Sequence, residues 1–202
     1  MCALLVMALL LCGAAAVRAD ALASDDYSQW RQADDEWNES AAWPGGWSSF
    51  IRNSGCWVTS VSMLLRHYGV VEGDVEEFNP WICAGELYAA GALLGNGDMV
   101  LSMVGSAYPG FDYAGEYSYS FSRLQQLYED GYACAVLING GRHMVAVKSV
   151  SDDGTVEIMD PASDKATLAE CSGVTTIYCF GPIETEEAES TYAASEVQPA
   201  VS

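Results

Sequence analysis

The chain has 202 residues and carries 28 acidic against 8 basic side chains, a formal net charge of −20 at pH 7. That balance argues against nucleic acid and anionic membranes as partners, because binding them needs clustered Lys and Arg, and no stretch clusters them. The length allows one domain with a sizeable core.

Residues 2–17 are almost wholly apolar, are short for a membrane span, and lead into Arg18-Ala19-Asp20. They read as a signal peptide over residues 1–19, cut after the small Ala19, although the usual positive start is missing. A lipid anchor on Cys12 is disfavoured, because Leu11 stands where a small residue is wanted. A secreted or envelope-exported protein is expected, with no stable membrane insertion after cleavage. Residues 20–26 form a polar lead-in. Residues 27–55 hold Trp30, Trp37, Trp43, Trp47 and Gly45-Gly46, an irregular segment packed through its aromatic rings.

A helix is predicted over 56–68, where Val58, Val61, Leu65 and Tyr68 fall on one stripe and Gly69 follows as a stop. Shorter helices are predicted over 83–94, 98–107 and 122–129. The pattern then changes to strands. Residues 132–138 are a continuous apolar run, and 144–150 alternate. Asp152-Asp153-Gly154 signals a hairpin turn, 155–159 return, and 174–180 close the set. Helices first and an antiparallel sheet second give an α+β fold over residues 27–181. Residues 182–202, with five Glu and no base, read as an acidic disordered tail.

Without Cys2 and Cys12, five cysteines remain: Cys56, Cys83, Cys134, Cys171 and Cys179. An odd number in an exported chain leaves one thiol over from two disulfides, and Cys56 is the natural one to spare. The alternative is that all five are reduced and mostly packed in the core.

Cys56 follows Ser54-Gly55 at the start of the first helix, where the helix dipole lowers a thiol pKa. His143 follows Gly140-Gly141-Arg142 at the mouth of a strand. Asp160 ends the returning strand, just before Pro161. One hairpin therefore sets a carboxylate beside an imidazole, which it orients as the third member of a nucleophile–base–carboxylate set. The only other histidine, His67, lies nine positions after Val58, about 900° round the helix, and is expected to face solvent at the far end. Acyl transfer also needs oxyanion donors. The Cys56 amide is one, Gln29 the candidate second, and Gln32 the reserve. No cofactor is expected: no histidine pair has ligand spacing and no Cys-x-x-Cys occurs.

Several blocks carry a family likeness. They are Tyr27-Ser28-Gln29 with Asp35-Glu36-Trp37, Ser54-Gly55-Cys56 with Thr59 and Met63, Phe78-Asn79-Pro80, Gly141-Arg142-His143-Met144-Val145, and Gly154-Thr155-Val156 with Asp160-Pro161. Over residues 27–161 the chain resembles secreted papain-like cysteine peptidases of the thirty-nine-like family. These are relatives of the bacterial peptidases that remove double-glycine leaders from bacteriocins. The resemblance implies a papain-like fold, a bacterial source, Cys56 as nucleophile, His143 as base, Asp160 as its orienter and Gln29 as oxyanion donor. Trp57 and Val58 stand where the family places Gly and then Pro, and the transporter segments that accompany leader peptidases are absent.

The leading expectation is a monomeric thiol peptidase acting on a peptide or protein substrate through an acyl-enzyme. A peptidoglycan amidase or endopeptidase on the same scaffold is the second, by analogy alone. A non-catalytic binding module is the third, motivated by Trp57 beside the thiol and by the aromatic-rich entry segment.

Overall fold

A computed structural model describes residues 26–34, 37 and 50–183. The signal peptide, most of the lead-in, Trp43, Trp47, Gly45-Gly46 and the tail from residue 184 lie outside the described residues. Five helices and one sheet make up the rest: α1 (Phe50–Ser54), α2 (Cys56–His67), α3 (Pro80–Ala89), α4 (Val104–Ala107), β1 (Tyr113–Ser118), α5 (Phe121–Glu129), β2 (Ala133–Ile138), β3 (His143–Val150), β4 (Val156–Met159) and β5 (Thr176–Phe180). The arrangement is α+β, with an antiparallel sheet ordered β1-β5-β2-β3-β4.

Helix α2 lies against β3 and β2 on one face of the sheet, and α5 covers the other. That placement explains the unbroken apolar run of β2. Ala133 and Ala135 turn to the α2 side, while Cys134, Val136 and Ile138 turn to the α5 side. A strand covered on both faces loses its polar alternation. Helix α2 is likewise buried more widely than one stripe, continuously from Val58 to Leu65, with Thr59, Ser60 and Ser62 among the buried positions.

Helix α1 lies within the segment read as irregular, and three further segments differ from the sequence reading. Helix α3 begins at Pro80 rather than 83, because the Asn79 side chain accepts the Trp81 and Ile82 N–H groups and Pro80 suits the first helical position. It ends at Ala89, before Gly91 at φ 76°. The helix expected over 98–107 is only a 3-10 turn, Leu101–Met103, followed by α4. Strand β1 matches no predicted segment. It is a largely exposed edge strand whose register shifts between Tyr113 and Gly115, which breaks the alternation that marks a strand. The five described cysteines are free thiols, and Cys83, Cys134 and Cys179 are buried.

Candidate active site

The first half of the site is the junction of α1 and α2. Gly55 separates them, and its N–H donates to the Ile51 carbonyl at 2.8 Å. A Cβ at this position would stand 2.4 Å from the Ile51 carbonyl oxygen and 2.6 Å from its Cα, so only glycine fits. The tight junction starts a new helix at Cys56. The second half is the β2–β3 hairpin. Asn139, Gly140 and Gly141 all have positive φ, which reverses the chain and opens β3 at His143. The Ser60 hydroxyl donates to the Met144 carbonyl at 3.2 Å and pins α2 to β3, one residue from His143.

His143 Nε2 meets Asp160 Oδ1 at 2.7 Å. With that nitrogen engaged, Nδ1 is the ring atom left to face Cys56, whose thiol interacts electrostatically with the His143 side chain. Asp160 is buried at 3% exposure and is fully partnered. It also accepts the Ala162 N–H at 2.8 Å and the Ser163 hydroxyl. Asp160-Pro161-Ala162-Ser163 is thus an Asx-type turn that closes on the carboxylate. Ser163 escaped the sequence reading, although the Asp-Pro-Ala-Ser run carries that turn signature.

Electrostatics follow from these contacts. Burial alone would push the Cys56 thiol up. The His143 hydrogen bond, the Met144 and Trp57 backbone and the charge on His143 outweigh it, and the thiol falls below its ordinary value. Burial alone would lower His143, but the Asp160 hydrogen bond and then Cys56 raise it to about 9. Burial opposes ionisation of Asp160 too, yet bonds from His143, Ser163 and Ala162 hold it below the ordinary carboxylate range. All three directions favour a thiolate–imidazolium pair beside a carboxylate, the state a sulfur nucleophile requires.

The segment carrying Gln29 and Gln32 runs back along α2 from its C-terminal end. Tyr27 is anchored at that end, its hydroxyl 3.2 Å from His67 Nδ1. Gln29, two residues on, is exposed and lines a depression of about 250 Å³ with Arg31, Lys148, Glu157 and Asp160. Gln32 lies further along. Its N–H donates to the Pro161 carbonyl at 2.8 Å, and its Nε2 to the Arg52 carbonyl at 2.9 Å. It therefore joins the Asp160 turn to α1, one helical turn before Cys56.

His67 departs from the solvent-facing expectation. It is half-buried, edge-on to Tyr27 at 6.1 Å and to Tyr68 at 5.0 Å, because the 3-10 turn Tyr27–Gln29 folds over the end of α2. Eleven residues at 1.5 Å each put it roughly 16 Å along the helix from Cys56. Trp57 packs edge-on against Tyr178 of β5, with ring centroids 4.8 Å apart. In the order β5-β2-β3 that is two strands from His143, so the indole is turned toward the β5 side of the sheet. Among the described residues no group of three or more His, Cys, Asp or Glu side chains is arranged to hold a metal ion.

The family described as Peptidase_C39 like matches residues 25–178 of the chain. No curated protein matches it.

Proposed function

The chain belongs to the Peptidase_C39 like family, and from that premise we propose that it is a thiol peptidase of papain-like fold, cutting peptide bonds through an acyl-enzyme on Cys56. One observation carries the reading: Cys56, His143 and Asp160 interact in sequence, with the pKa of each moved toward the ion-pair state.

The Cys56 thiolate attacks the scissile carbonyl carbon and forms a tetrahedral oxyanion. The Cys56 backbone N–H and a side-chain amide stabilise that charge. Gln32 suits the second task better than Gln29, because its amide is held one turn before the nucleophile while Gln29 is exposed beyond Asp160. His143 Nδ1–H passes its proton to the departing amine, the C–N bond breaks, and a thioester remains. His143 then takes a proton from water as the water attacks, and collapse of the second oxyanion releases the acid and restores the thiolate. Asp160 keeps the ring aimed throughout.

The Trp57 ring packs on Tyr178, which weakens one of the two grounds for the binding-module alternative. The test is hydrolysis of a mixed peptide pool read by mass spectrometry. Cleavage is expected from the wild-type chain and absent from Cys56→Ala and His143→Ala; equal cleavage by all three would overturn the assignment.

A further inference from the structure

Beside the thiol, the start of α2 and one face of the sheet together carry a short run of aromatic and acidic side chains. Trp57 immediately follows Cys56, and its backbone helps hold the thiolate. Its ring is 4.8 Å from that of Tyr178 at an interplanar angle of 74°. Both rings are half-buried, so each keeps an open edge or face. Across the strand pair, Glu116 of β1 is the register partner of Tyr178. Directly paired residues of an antiparallel sheet project from the same face, so Glu116 lies beside the Tyr178 ring. Burial and then the Glu116 carboxylate push the Tyr178 hydroxyl up, which places that charge within electrostatic reach of the ring. Glu116 itself is exposed.

We propose that Trp57, Tyr178 and Glu116 form a subsite for a cationic side chain, Lys or Arg, of the peptide substrate. The proposal rests on the peptidase reading of the neighbouring thiol and names the class of substrate it takes. Three features of the site suit a cation. Indole and phenol rings attract one through their quadrupoles. A carboxylate at the outer end supplies the counter-charge. The chain as a whole, at −20, draws basic peptides and repels acidic ones. The same strand shows the chemistry within the protein, because on its opposite face the Arg123 guanidinium lies over the Tyr117 ring at 5.2 Å. Placement suits a substrate contact as well, because Trp57 directly follows Cys56 in the chain and Tyr178 packs on the Trp57 ring.

The test uses short quenched peptides of Gly, Ala and Ser in which a single Lys or norleucine occupies each position in turn. At one position the wild-type chain is expected to show kcat/KM about tenfold higher for Lys than for norleucine, the size of one charge–aromatic contact with a counter-ion. In Glu116→Gln, a substitution at an exposed edge-strand position, the ratio should fall severalfold, to the smaller preference that the two rings alone supply. Trp57→Ala should lower cleavage of both peptides. Binding of the same pairs to Cys56→Ala tests the subsite apart from chemistry, with the Lys peptide expected to bind more tightly. A ratio of one in the wild-type chain, equal affinities for Cys56→Ala, or a Lys preference undiminished by Glu116→Gln would each overturn the subsite. Failure of the peptidase reading shows separately, as alkylation of Cys56 that does not depend on His143.

Discussion

Replacing Asp160 by Asn keeps the size of the side chain and removes its charge. In the wild-type chain Asp160 Oδ1 sits 2.7 Å from His143 Nε2, and the imidazolium persists to about 9 rather than the ordinary 6.5. At 1.36 kcal/mol per pH unit, that interval is worth roughly 3 kcal/mol of preference for the charged ring. Asp160 and Cys56 share it, and burial works against both. Removing the carboxylate forfeits the Asp160 part of that preference, so the imidazolium should give up its proton at a lower pH. The assay is the rate of Cys56 alkylation by iodoacetamide as a function of pH, with the adduct mapped by mass spectrometry. The wild-type profile should rise below the ordinary thiol pKa and change again near pH 9, as the imidazolium loses its proton. In Asp160→Asn the basic inflection should move down toward 6.5, by about one pH unit or more, with the largest change in rate between pH 7 and 9. Superimposable profiles would refute the coupling of carboxylate, ring and thiol.

Gln32→Ala should lower kcat/KM by about 10²–10³, the usual cost of an oxyanion donor, while Gln29→Ala leaves it within a fewfold; steady-state kinetics on one peptide substrate separates the two. Gly55→Ala forces a Cβ to within 2.4 Å of the Ile51 carbonyl oxygen, so a loss of about 1–3 kcal/mol is expected in denaturant titration, with slower alkylation of Cys56 as the junction shifts. Asp160 also sets an acid limit on stability. Its folded carboxyl titrates below its ordinary 3.8, so its contribution is complete above that value and disappears as pH falls through the folded pKa. The urea midpoint of the wild-type chain should therefore drop more steeply on acidification than that of Asp160→Asn.

Much of the fold is legible where one physical signal dominates. The hairpin turn at Asp152-Asp153-Gly154 is one such place: Gly154 has φ 93° and the Asp153 side chain accepts the Thr155 N–H at 2.9 Å. Strands β2, β3 and β5 declare themselves through apolar content, within a residue or two of their ends. The Cys56, His143 and Asp160 positions were legible because each sits at an element boundary with its own local marker. Where tertiary contacts decide, sequence says less. Edge strand β1 gains its partners from β5, more than fifty residues away, and has no buried stripe of its own. His67 obeys helical phase but is covered by Tyr27, which no periodicity foresees. Gln29 and Gln32 are both short-range neighbours of Trp30, and only the path of the segment along α2 distinguishes them.

The central claim is that Cys56 is a nucleophile made reactive by His143. It is tested most directly by treating the chain with a peptidyl chloromethyl ketone and mapping the adduct. A single adduct on Cys56 is predicted, with the buried thiols of Cys83, Cys134 and Cys179 untouched, and its formation should fall to the level of an ordinary exposed thiol in His143→Ala. Adducts spread over several cysteines, or an unchanged rate at Cys56 in His143→Ala, would contradict it.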